Sequence, residues 1–441
     1  MIKSKIYNTV QSKYFVPACF ILAILLRVIW IMLVNSLPVS DSNWYFSKSI
    51  ELAAGNGYTI DGIPTAYYPA GYPMFLALLF KVFGDSLFLA KVANVLLYVG
   101  IMYFSYGIGK KIFNSEFVGR VTLFILAVYP NHIAYSSILA TEILFLFLLL
   151  CGAYLLLISN NRIWILVIAG IIWGMMCIVR PQGFFIPLIL ILTSFAVVIS
   201  TFINKVKFML FVYVFMILMI LPWIIRNNNV FHEFFVISTN DGINLVIGNN
   251  PYATGEYMLD SNIISYIPQN NFVSADSLKK DLNSDYWTKY GFADENIANK
   301  KLRSKAIDYI VHNPVQAIKL MPKKLWLNYK KGNEGIGWSI TGLQISSKLK
   351  KTCLNIFEKI ANYVYYLVMI FGLVFVISSV YKRCIKKQNI IFPSAGLWIM
   401  IYFSLLALIY FGGYRFHFPS IPWLIMYSAA FFESVVKREG M

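Results

Sequence analysis

Charge, histidine and cysteine are all in short supply in this chain of 441 residues. Charged side chains make up 13% and hydrophobic ones 59%, with mean hydropathy +0.65, which excludes an ordinary soluble domain. The histidines, His132, His232, His312 and His417, lie far apart, which argues against a histidine-rich metal site. Cys19, Cys151 and Cys177 fall in apolar runs, Cys353 near the start of another and Cys384 in a basic cluster, so no pair reads as a disulfide framework. There is no glycine-rich phosphate loop, no His-Glu-x-x-His and no Gly-x-Ser-x-Gly elbow. Internal repeats of the soluble type and low-complexity tracts are also missing.

Long apolar sequence is what the chain has in abundance. Runs at about 15–35, 86–108, 117–135, 138–158, 163–179, 184–203, 208–225, 356–380, 390–412 and 417–435 are long enough to span a bilayer. They predict a polytopic α-helical membrane protein with about ten transmembrane helices. The net charge is +18, yet Lys110, Lys111, Arg120, Arg162, Lys205, Lys207, Lys382, Arg383, Lys386 and Lys387 lie between runs, as cytoplasmic loops require. Membrane lipid, not nucleic acid, is therefore the expected partner. The same bias predicts a multi-pass protein of the plasma (inner) membrane with both termini cytoplasmic. Lys3, Lys5 and Lys13 precede a run too long for a secretory signal, which reads as an uncleaved signal anchor.

Three regions follow from this topology. Residues 1–225 form an N-terminal transmembrane module whose first external loop is 36–85. Residues 226–352 form a small extracytoplasmic domain, α or α/β, and 353–441 hold the C-terminal transmembrane helices. Inside the domain, Ala298, Leu302, Ala306, Tyr309 and Ile310 share one helical face that ends before Pro314. Val315 to Tyr329 mixes apolar residues with lysines, which suits either the membrane interface or packing on the domain.

The residues able to carry chemistry gather on the outer face. Asp41 follows the first run and heads Asp41-Ser42-Asn43-Trp44-Tyr45-Phe46, where it has two readings, a helix N-cap and a catalytic base. Glu142 opens an apolar run, either facing a hydrated cavity where it could bind an acceptor hydroxyl or orient a cation, or sitting as a dipole-favoured charge at a helix N-terminus. Arg180, Arg226 and Arg415 stand at outer ends of runs against the charge bias, and Lys91 lies near the outer end of the second run. Arginine's planar fork suits phosphate oxygens, while snorkelling to headgroups is the alternative. Arg27 lies mid-run and should face the bundle, as a structural intramembrane charge or on a phosphate. No metal is confidently assigned, though a carboxylate-held divalent cation is left open.

Taken in order, Asp41…Tyr45, Gly55-x-Gly57-Tyr58, Pro64-Thr65…Pro69-x-Gly71-Tyr72-Pro73, Thr141-Glu142, Arg180-Pro181, Pro222-Trp223…Arg226-Asn227, Gly248-Asn249-Asn250-Pro251 and Tyr414-Arg415…Pro419 resemble the bacterial family 39 glycosyltransferases. These belong to the C-type membrane glycosyltransferase superfamily, with relatives among protein O-mannosyltransferases and lipid A aminoarabinose transferases. The resemblance implies inverting transfer of a sugar from a polyprenyl-phosphate donor to a glycolipid, glycan or protein acceptor on the outer face. It also implies that Asp41 is the catalytic residue, Glu142, with Tyr45 nearby, a second acidic position near the acceptor, and Arg415 a group near the donor phosphate. Ser42 stands where many relatives have a second acid, and Pro69-Ala70-Gly71 replaces the commoner Pro-Pro-Gly. Two other classes stay open: a lipid or polysaccharide transporter or flippase, kept alive mainly by Arg27, and a polymerase or ligase using a pyrophosphate-linked donor.

Overall fold

The computed structural model describes residues 2–160, 162–193, 201–232, 237–259, 295–343, 348–387 and 393–437. The apolar runs become helices because hydrocarbon offers the backbone no partner but itself. A short helix α1 (Ile2–Gln11) precedes α2 (Phe15–Leu33), so the first lysines belong to their own helix. Next come α3 (Asp41–Ala53), the two-residue strands β1 (Thr59–Ile60) and β2 (Ile63–Pro64) in antiparallel register, and α4 (Gly71–Phe83). The bundle continues with α5 (Leu87–Ile112), α6 (Glu116–Val128), α7 (Pro130–Tyr135), α8 (Thr141–Ile158), α9 (Ile163–Val179), α10 (Ile186–Leu192) and α11 (Phe202–Phe231). After α12 (Asp241–Gly248) follow α13 (Glu295–His312), α14 (Pro314–Tyr329), α15 (Glu334–Thr341), α16 (Lys348–Cys384), α17 (Ala395–Ile409) and α18 (Ile421–Lys437).

Among the described residues, 5 helices are long and apolar enough to cross a membrane: α2, α5, α8, α11 and the 351–383 part of α16. The run at 117–135 is not one helix. Pro130 lacks an N–H and pushes its predecessor out of helical geometry, so Tyr129 is extended (φ −68°, ψ 109°) between α6 and α7. The run at 184–203 starts with a 3-10 turn, Pro181–Phe185, and α10, and its residues 194–200 lie outside the described residues. Residues 390–392 of another expected span do so too. The expected first loop holds an apolar helix, α4, that its 13 residues made too short to read as a span.

The region 226–352 shows helices as its regular elements among the described residues, with 260–294 outside them. Leu302 and Ala306 of α13 pack on Ile243, Val246 and Ile247 of α12, with Phe411 completing that cluster. Helix α14 buries Ala317, Lys324, Leu327 and Asn328 and exposes Val315, Ile318 and Trp326, so it packs on the domain and also presents an apolar face. Two glycines set close approaches. A Cβ on Gly71 would lie 2.6 Å from the backbone N of Val179, which brings the start of α4 against the end of α9 and thus beside Arg180. One on Gly248 would overlap the carbonyl oxygen of Tyr410, which seats α12 against the turn leading to Arg415.

Candidate active site

Asp41 is the first residue of α3, and Ser40 before it takes the left-handed φ of 50°. That unusual backbone turns the chain sharply from the end of α2 into α3. The carboxylate does not serve as a side-chain cap. Its Oδ1 accepts from the Tyr68 hydroxyl at 3.0 Å and from Ser40 Oγ at 3.4 Å, and its Oδ2 faces Arg415 Nη1 at 3.1 Å. The side chain is 27% exposed, so solvent or a substrate can reach it.

Arg415 arrives from the other end of the chain, in the turn between α17 and α18. Gly412 N–H donates to Gly255 O at 2.8 Å and Phe416 N–H to Gly413 O at 2.9 Å, which shapes that turn. Burial lowers the proton affinity of Arg415, but Asp41, Glu142 and Glu334 outweigh it and hold the guanidinium above its usual range. It is a fixed cation.

A second pair lies alongside. Thr141 and Glu142 open α8, and Arg180 ends α9; Arg180 Nη2 donates to Glu142 Oε1 at 2.5 Å and Nε to Thr141 Oγ1 at 2.7 Å. Tyr45 lies within electrostatic reach of both pairs. Burial first, then Asp41 and Glu142, holds its phenol well above the ordinary range, with Arg180 and Arg415 opposing. It therefore remains a neutral hydroxyl. Its ring meets Tyr68 and Tyr72 edge-on at 5.8 and 5.6 Å.

Asp41, Tyr45, Glu142, Arg180 and Arg415 are thus brought together, whereas Arg226, Lys91 and Arg27 stand apart. The Arg226 guanidinium donates to the carbonyls of Thr65 (2.7 Å) and Tyr58 (2.8 Å) and to Asn227 Oδ1 (2.8 Å), tying down the first loop. Lys91 Nζ donates to Ser36 O at 2.8 Å and Asn35 Oδ1 at 3.2 Å, fixing the chain after α2. Arg27 is fully buried, donates to the carbonyls of Ala23, Leu126 and Ala127, and stacks 3.6 Å over the Tyr98 ring.

Sequence reasoning missed Tyr68 and Glu334. Tyr68 lay inside the Pro64–Pro73 motif, but nothing in its spacing showed that its hydroxyl reaches Asp41. Glu334 opens α15 and accepts from Trp338 Nε1 at 2.5 Å. Burial raises its carboxyl, against the pull of Arg415. Its only local signal was an acid in the Gly332-Asn333-Glu334-Gly335 turn.

Among the described residues, no three His, Cys, Asp or Glu gather where they could hold an ion. Both Asp41 oxygens carry a donor, one of them the Arg415 cation.

Residues 68–225 match a family described as dolichyl-phosphate-mannose-protein mannosyltransferase. No curated protein sequence matches the chain. An oligosaccharyltransferase from Archaeoglobus fulgidus, tethered with an acceptor peptide containing the NVT sequon, is similar at 14% identity and TM-score 0.52, over 97% of this chain and 50% of that one. The archaeal oligosaccharyltransferase AglB from the same organism, in complex with an inhibitory peptide and a dolichol-phosphate, gives 15% identity and TM-score 0.51, over 96% of this chain and 50% of that one. ArnT from Cupriavidus metallidurans, bound to undecaprenyl phosphate, gives 13% identity and TM-score 0.43, over 95% and 78%. The chain spans about half the length of the archaeal chains. The matched segment and the likeness of fold agree with the resemblance read from the sequence: over about half of their length, the chain shares the fold of these archaeal oligosaccharyltransferases.

Proposed function

We propose that the protein is an inverting glycosyltransferase that moves a sugar from a polyprenyl-phosphate donor to a hydroxyl- or amine-bearing acceptor on the outer face of the membrane. The observation that carries this reading is the Asp41–Arg415 pair, one partially exposed carboxylate held beside one permanent cation. Transfer needs a base for the acceptor proton and a cation for the departing phosphate, and it needs no second proton donor. As the acceptor oxygen or nitrogen attacks the anomeric carbon, its proton passes to Asp41. The bond from that carbon to the phosphate oxygen breaks on the opposite face, and Arg415 takes up the charge of the leaving polyprenyl phosphate. Tyr68 orients the carboxylate through its hydroxyl. The Glu142–Arg180 pair borders the same space, with Glu142 toward the acceptor and Arg180 as a further anion contact. A hydrolase with a paired acid and base would want two free carboxylates facing one bond; here Glu142 is bound to Arg180.

The test offers membranes holding the native acceptor a panel of radiolabelled undecaprenyl-phosphate sugars: mannose, glucose, galactose and aminoarabinose. The wild-type chain should label the acceptor from at least one of them, and Asp41→Asn should fall to background at equal expression. Wild-type transfer by Asp41→Asn would sink the base. Labelled-lipid translocation in proteoliposomes with no covalent product would support the flippase instead.

A further inference from the structure

Glu295 is a buried acid, 7% exposed, at the first position of α13 and remote from Asp41 in sequence. Among the described residues, the bonds of its carboxylate converge on one short stretch of the first loop and on the residue beside it. Oε2 accepts from Thr65 Oγ1 at 2.8 Å, while Oε1 accepts from Ala66 N–H at 3.1 Å and from the Thr239 hydroxyl. Thr239 N–H in turn donates to Ala66 O at 3.0 Å, and Arg226 donates to Thr65 O. Thr65 Oγ1 also accepts from Tyr67 N–H at 3.0 Å. Residues 65 and 66 are therefore held on their amide, carbonyl and hydroxyl groups at once. Two residues further on is Tyr68, whose carbonyl accepts from Tyr58 OH at 3.0 Å and whose own hydroxyl reaches Asp41.

We infer that Glu295 is a positioning residue for the transfer reaction, fixing the Thr65–Ala66 segment so that Tyr68 meets the Asp41 carboxylate. The geometry favours this over a general packing role. An apolar residue would fill the same space, but the carboxylate takes one hydrogen bond from each of three neutral donors that also define the backbone path to Tyr68. Leaving those donors unpaired in a buried site would be costly, so the clasp has one stable geometry. Because a catalytic carboxylate displaced by about 1 Å can lose roughly a hundredfold in rate, an acid this far from the chemistry can still govern it. The inference rests on the proposed base chemistry of Asp41.

The experiment is a double-mutant cycle with Glu295→Gln, Tyr68→Phe and the pair together, using whichever undecaprenyl-phosphate sugar labels the native acceptor in membranes. If Glu295 acts through Tyr68, each single change lowers kcat by roughly ten- to a hundredfold with KM for the donor unchanged. The double variant then falls no more than about twofold below the worse single one. Losses that multiply, a change confined to KM, or an unchanged kcat would each overturn the inference. Should Glu295→Gln fail to reach the membrane, Thr65→Val removes one arm of the clasp and carries the same cycle with Tyr68→Phe. Asp41→Asn is run beside them. Activity surviving in that variant would refute the base reading, while an inactive Asp41→Asn with multiplying Glu295 and Tyr68 losses would refute only the role given to Glu295.

Discussion

Replacing Arg415 by Gln removes the cation that, among the described residues, directly contacts Asp41. Two unit charges about 4 Å apart at an effective dielectric of about 20 interact by roughly 4 kcal/mol. The Arg415 side chain is 31% exposed, and halving the figure for solvent screening leaves about 2 kcal/mol, or a loss of roughly thirtyfold in kcat. Arg415→Lys keeps the charge without the planar fork, and roughly three- to tenfold should be lost. The assay is initial-rate transfer from a radiolabelled undecaprenyl-phosphate sugar in membranes, normalised to protein level. If Arg415→Gln kept kcat within about threefold of wild type, the guanidinium would not be stabilising the leaving phosphate, and the argument from its position beside Asp41 would fail.

Other consequences concern stability. Glu142→Gln strands the Arg180 cation, whose side chain is 11% exposed against 4% for its partner; detergent melts should show a loss of about 3 kcal/mol. Arg180→Met added to it should recover part of that loss, and a double variant no more stable than the single would contradict the buried-charge argument. Gly71→Ala would press a methyl within 2.6 Å of Val179 N, with an expected cost of about 2 kcal/mol because backbone cannot swing aside; an unchanged melting temperature would mean that α4 and α9 separate freely. Burial lowers Lys324 from 10.5 to about 8. The unfolded chain then binds the proton better between those values, so stability should rise with pH from about 8 to about 10.5 and level off beyond. Lys324→Met should melt without that slope.

Much of the helical layout was legible because a run of about 20 apolar residues has few alternatives in a bilayer. The positions of α2, α5, α8 and α11 follow directly. The proline that splits α6 from α7 was legible in principle, yet hydropathy alone joined the two pieces. Helix α4 escaped for the opposite reason, since its apolar character is confined to 13 residues. In α13, Leu302 and Ala306 were read as inward and are buried, while Asn299, from the same face, donates to Asp241 Oδ1 at 2.6 Å, a partner that local periodicity cannot name.

The arginines show where local reading stops. Arg226 and Arg415 looked alike, each at the outer end of an apolar run beside aromatics and proline. Packing gave the donors of one to the backbone carbonyls of Tyr58 and Thr65 and left the other facing Asp41. The amino-acid sequence by itself determined that the chain is an apolar helical bundle with Asp41, Glu142 and Arg415 at the ends of its runs, because apolar length and charge exclusion act over neighbouring residues. Only the tertiary structure decided that Asp41 pairs with Arg415, that Glu142 pairs with Arg180, that the Tyr68 hydroxyl reaches Asp41, and that Glu295 holds Thr65 and Ala66. Those bonds join residues far apart in the chain, and no local propensity can select such partners before the helices have packed.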